Sequence, residues 1–117
     1  MGQSRAAPKL PWGWRSMWVI AMFDLPTGTP KARKAYSLFR KTLLEDGFTM
    51  MQYSVYSRHC ANIENADLHV RRMGDKTPSE GEVRFMAITD RQFGRIKVFV
   101  GKKRQPIAQS PSQLELF

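Results

Sequence analysis

Asp24 closes an otherwise apolar run, MWVIAMFD at residues 17–24. Strand ends open onto loops, where functional side chains concentrate, so a carboxylate there is a candidate catalytic or binding group. It is equally a turn starter, because Asp favours the first position of a turn and Leu25-Pro26 follows. Both readings stand on the residues alone. Cys60 and His59 set a thiol beside an imidazole, the pair that nucleophilic catalysis uses. Adjacent strand residues point to opposite faces, however, so Cys60 reads as a small apolar core residue. Zinc is excluded too: one Cys and two His, at 59 and 69, give neither the ligand count nor the spacing.

The remaining chemistry is cationic. Lys31, Arg33, Lys34, Arg40 and Lys41 crowd one stretch, Lys102-Lys103-Arg104 another, and Arg5, Arg15, Arg71, Arg72, Arg91 and Arg95 are spread between and around them. Each cluster alone reads as a solvated surface. Together they give 19 Lys and Arg against 10 acids, a net charge of +9 and a pI of about 10.2. A small body so charged implies a polyanionic partner, nucleic acid before an acidic membrane face. The strands contain no glycine-aromatic string of the kind that stacks splayed RNA bases, so contact with the phosphate backbone is the better expectation.

With 117 residues the chain is most readily one compact domain. Hydrophobic residues at 42% and aromatics at 11% exclude a fully disordered or fibrous chain. No run approaches the roughly 20 apolar residues that span a bilayer. The start, Met1 to Ala6, has no apolar segment of the signal-peptide kind and misses the myristoylation pattern. A single cysteine suits a reducing compartment.

The elements that must position these groups follow from spacing. Residues 1–16 show no period and read as a loose arm. Residues 17–24 predict a buried central strand. Thr29 and Pro30 start a helix over 30–46, in which Ala32, Tyr36, Phe39 and Leu43 recur at helical spacing and Gly47 stands at the exit. Residues 48–58 predict strand, either one run or two short strands separated by a bend near Gln52. Ile63, Ala66, Val70 and Met73 trace a second helix ending at Gly74. Residues 82–89 alternate as a strand, 90–94 make a short turn or helix, and 95–100 predict one more strand. The tail from Gly101 is basic, then rich in Pro, Ser and Gln. The order β-α-β(β)-α-β-β predicts an α+β, ferredoxin-like split-βαβ domain over 17–100. The extra last strand has no slot in a four-stranded sheet, so it is expected to be exchanged in a homodimer.

The segments MWVIAMFDLP, RKAYSLFRKTLLEDGF and MQYSVYSR resemble the CRISPR-associated protein two family, and GEVRFMAITDRQFGRI is similar to its type II members. The likeness covers roughly residues 17–100. It implies a cytoplasmic, ferredoxin-like homodimer that sits between two dimers of the CRISPR integrase and supports duplex protospacer DNA. Some members are magnesium-dependent endoribonucleases or deoxyribonucleases. Their metal-binding, catalytic aspartate matches Asp24, here preceded by Phe23 instead of Tyr, and Arg33 falls near a basic position linked to cleavage. Met50 and Met51 stand where an arginine precedes the Gln-x-Ser-Val tract of such members.

Mg²⁺ prefers several oxygens, and two-metal hydrolysis needs a carboxylate cluster. One strand-end Asp offers only a start, and twofold symmetry would bring a second copy. The favoured function is therefore a basic homodimeric scaffold for spacer acquisition, with Lys31, Arg33, Lys34, Arg40 and Lys41 on phosphates. The alternatives are a Mg²⁺-dependent endonuclease using Asp24 from each protomer, and a toxin-like messenger-RNA nuclease of similar fold. Finally, Gln113-Leu114-Glu115-Leu116-Phe117 resembles the pentapeptide that binds the bacterial sliding clamp, with Leu116 and Phe117 as apolar anchors. A strand docking on the integrase through Leu114 and Leu116 fits the same residues, and so does an end without a role.

Overall fold

The computed structural model describes residues 16–101. The arm, the 102–104 cations and the docking residues Gln113, Leu114, Leu116 and Phe117 lie outside the described residues. The elements are β1 (Met17–Asp24), α1 (Pro30–Glu45), β2 (Thr49–Gln52), β3 (Val55–Cys60), α2 (Ile63–Gly74), β4 (Glu82–Thr89) and α3 (Asp90–Phe93). They form one four-stranded sheet, ordered β2-β3-β1-β4, in which every neighbouring pair is antiparallel. Two βαβ halves interleaved in this way are the ferredoxin-like arrangement that the spacing predicts.

Local chemistry sets the boundaries. The Thr29 hydroxyl accepts the Ala32 N–H at 3.0 Å and Pro30 takes the first helical position, so α1 begins where its own signals place it. Asp46 caps its other end. The Asn62 side chain accepts the Asn65 N–H at 2.8 Å and starts α2, which carries Glu64 in its first turn and Arg71 and Arg72 in its last, the signs the helix dipole favours. Of the two readings of 48–58, the two-strand one holds: β2 and β3 form a hairpin. Its turn falls at Tyr53-Ser54, one residue beyond the expected bend, with Ser54 in the left-handed region at φ 62° and a register shift between Met50 and Gln52.

The helices cover one face of the sheet. Met17, Val19, Ala21 and Phe23 alternate into a core with Phe39 and Leu43 of α1, Ala66 and Met73 of α2, and Tyr56 and Cys60 of β3. Phe23 meets Phe39 edge-on, with ring centroids 5.3 Å apart, which locks β1 against α1. The other face carries Trp18, Ile20, Met22 and Asp24 beside Ile88, Met86, Arg84 and Glu82 of β4, and neither α1 nor α2 covers it. Alternation also separates His59 from Cys60: the imidazole is exposed on this second face and the thiol is buried among the core residues.

One expected element does not form among the described residues. Residues 95–100 follow α3 without joining the sheet, and Ile96, Val98 and Phe99 are 42%, 60% and 78% exposed. Among the described residues 95–100 join no strand ladder, so the extra strand is not formed there.

Candidate nucleic-acid interface

Asp24 ends β1 on the face opposite α1 and α2 and is exposed. The ladder sets it directly across from Glu82, the first residue of β4. Opposed residues of an antiparallel pair bring their Cβ atoms to about 5 Å, so two carboxylates share this corner. Glu82 is already held: Arg84 donates to its Oε1 from Nε at 3.0 Å and from Nη2 at 2.9 Å. The Asp24 side chain makes no hydrogen bond or ion pair among the described residues. Gly81 lies against the same corner at φ +89°, and a Cβ on it would sit 2.7 Å from the Asp24 carbonyl oxygen. Only glycine allows that approach.

The donor set suits a hard cation in type but not in number. Among the described residues no group of three or more His, Cys, Asp or Glu side chains converges, whereas Mg²⁺ needs several oxygens. One chain brings Asp24, with Glu82 engaged beside it. A second copy would be needed to complete a site.

From Asp24 the loop through Leu25 and Thr29 leads straight into α1, so the carboxylate and the start of the basic helix share one end of the domain. Lys31, Arg33, Lys34, Arg40 and Lys41 are all exposed. None forms a salt bridge with a carboxylate among the described residues. They fall on two helical stripes. Lys31, Lys34 and Lys41 share one with Leu38, itself 63% exposed; Arg33 and Arg40 flank Tyr36 on the other. The Arg33 guanidinium donates to the Thr27 carbonyl at 3.2 Å, which bends it over the loop that follows Asp24. Burial pushes the Tyr56 phenol up, and the Arg40 guanidinium hydrogen-bonded to it pulls the other way. Lys31 and Arg33 stand in the first turn of α1, where the helix dipole disfavours cations and no acid offsets them.

A second polar cluster serves the fold. The Asp46 carboxylate is 5% exposed and takes His69 Nδ1 at 2.7 Å and Arg72 Nη2 at 3.3 Å, while Arg58 Nε donates to the Asp46 carbonyl at 2.7 Å. One residue thereby ties the end of α1 to α2 and β3.

The residue of this corner that sequence reasoning missed is Glu82, which carried a faint signal as the acid that opens an alternating strand.

Fold and site together define a ferredoxin-like α+β domain with a carboxylate corner and a basic helix at one end. The sequence pattern of the family described as CRISPR associated protein Cas2 matches residues 17–96. A relative named CRISPR-associated endoribonuclease Cas2, from Parvibaculum lavamentivorans, is 80% identical over 101 residues, covering 86% of this chain and 100% of its own length. Relatives of the same name from Flavobacterium psychrophilum and Streptococcus mutans serotype c are 49% and 40% identical, covering 89% and 84% of this chain and 90% of each relative. The chain belongs to the CRISPR-associated Cas2 family, and with it to the adaptation module of a CRISPR system. No helix among the described residues is long and apolar enough to cross a membrane.

Proposed function

We propose that the protein is a basic homodimeric scaffold of CRISPR spacer acquisition, binding protospacer duplex along α1 and bridging dimers of the integrase in the bacterial cytoplasm. The observation that carries this reading is the set of five α1 cations, exposed and without acidic partners among the described residues. Phosphates are the natural sink for such a surface. The apolar part of the sheet face opposite α1 and α2 and the exposed apolar side chains of 95–100 suit a second copy of the chain, because burying both removes apolar surface from water.

A second reading rests on Asp24. Its exposed carboxylate, free of internal partners among the described residues, faces Glu82, and the relatives are named endoribonucleases. Asp24 from each protomer would hold Mg²⁺, which supplies charge neutralisation at a phosphodiester. Asp24→Ala separates the readings. Spacer acquisition in cells that persists with this variant supports the scaffold, and acquisition lost while dimer and duplex binding stay intact replaces it with the nuclease. For the tail, titration of a labelled 108–117 peptide decides between the sliding clamp and the integrase, with Leu116→Ala and Phe117→Ala as controls.

A further inference from the structure

The aromatic content of the interface lies beside the basic helix, not in the central strands. Tyr53 sits at the tip of the β2–β3 hairpin, 68% exposed, with its ring stacked on Tyr36 of α1 at a centroid distance of 5.7 Å and 18° between planes. The arrangement is built. The Tyr36 hydroxyl shares a 2.9 Å hydrogen bond with the Ser54 hydroxyl, and Ser54 holds the left-handed conformation that turns the hairpin. The Ser54 carbonyl accepts the Phe23 N–H at 3.0 Å, so the tip is anchored one residue from Asp24. Hydrogen bonding to Tyr36 pushes the Tyr53 phenol up from its ordinary value.

Helical spacing puts Arg33 one turn before Tyr36 and Arg40 one turn after it, about 10 Å apart along the axis. An aromatic ladder set between two cations is the pattern that single strands use: the cations take phosphates and the ring takes a base face. A base inside a duplex has both faces covered by its neighbours. Only an unpaired base has a face to give.

We propose that Tyr53, backed by Tyr36 and flanked by Arg33 and Arg40, is a stacking platform for an unpaired nucleobase. The ligand class is a nucleic-acid single strand, or the unpaired end of a duplex. The inference rests on the nucleic-acid-binding reading above and assigns to it a site distinct from backbone contact. Stacking on a phenol ring offers no base-edge code, so the platform is tolerant of sequence. A free single strand and a frayed duplex end present the same chemistry, and the probes below separate them.

The experiment uses the full-length protein and fluorescence anisotropy on three probes: a blunt duplex, the same duplex with unpaired thymidine tails, and the tail oligonucleotide alone. Wild type should bind the tailed duplex more tightly than the blunt one. Tyr53→Ala should lose about 5- to 150-fold on the probe that carries the unpaired base while changing blunt-duplex affinity less than about twofold. Tyr53→Phe, which keeps the ring, should retain wild-type affinity, and 2-aminopurine placed in the tail should be quenched by wild type and Tyr53→Phe but not by Tyr53→Ala. Tighter binding of the free oligonucleotide than of the tailed duplex assigns the platform to single strands, and the reverse assigns it to duplex ends. Tyr53→Ala matching wild type on both unpaired probes overturns the proposal. If wild type binds blunt and tailed duplex equally, the platform falls and the scaffold stands; if it binds neither, both fall.

Discussion

Asp24 and Glu82 face each other across the β1–β4 ladder, two acids brought to one corner of a strongly basic protein. Like charges directly opposite on a sheet destabilise it. Glu82 is relieved by Arg84 on its own strand, while Asp24 has no such relief among the described residues. A fold that keeps this pair leaves one carboxylate available to an outside cation.

Asp24→Asn should therefore raise stability slightly, by a few tenths of a kcal/mol, by removing one of two opposed charges. Mg²⁺ should raise the thermal midpoint of the wild-type protein, because a ligand that binds only the folded state stabilises it, and should leave Asp24→Asn unmoved. Differential scanning fluorimetry with and without chelator reads both effects. An equal Mg²⁺ shift in the variant would remove Asp24 as a ligand.

Gly81→Ala should destabilise by about 2 kcal/mol or more, since left-handed backbone costs an L-residue about 1–2 kcal/mol before any clash. The added carbon would also meet the Asp24 carbonyl at 2.7 Å. Urea unfolding should show a lower midpoint at unchanged slope. The substitution should disturb the acid corner as well as the fold.

Affinity for duplex should fall steeply with salt, with a log–log slope of about −0.9 for each phosphate neutralised. Reversing Lys34 and Lys41 to Glu should flatten that slope and weaken binding to all sequences alike. A flat wild-type salt profile would remove the basic-helix interface.

Deleting the chain from Arg95 onward should abolish the proposed dimer by light scattering, leaving monomer or aggregate. The exposed apolar side chains of 95–100 would otherwise be covered by the partner. A truncated protein that remains a dimer of unchanged stability would place the interface elsewhere.

Burial pushes the Cys60 thiol up from its ordinary value of 9.0. The folded state then holds its proton more tightly than the unfolded state. The stability this contributes is complete below the unfolded value and is lost as pH rises through the folded one. Stability should therefore begin to decline above pH of about 9, and Cys60→Ala should remove that part of the alkaline slope. Urea midpoints measured across this range test it, and a thiol reagent should label Cys60 only as the protein opens.

Period and punctuation determined the elements from β1 to α3 by themselves. Thr29-Pro30, Asn62 and Thr89 cap helices because their side chains bond backbone groups a few residues away, and those signals are local. Alternation gave β1 and β4 their faces, and composition gave the protein its basic surface. Asp24 and the α1 cations were legible for the same reason: each is marked by its place within its own element. Tertiary structure decided what meets across elements. Glu82 opposes Asp24 only because β4 enters beside β1 in one register, and a shift of one residue would turn its side chain to the other face. Tyr53 reaches Tyr36 because the hairpin tip folds over α1. Asp46, an exposed-looking acid in sequence, is buried because His69 and Arg72 arrive from α2 to hold it. Residues 95–100 read as a strand, yet whether they become one depends on which backbone lies beside them. A sequence pattern fixes which side of an element a residue occupies; the partner on that side is set by sheet order, register and packing over the whole chain.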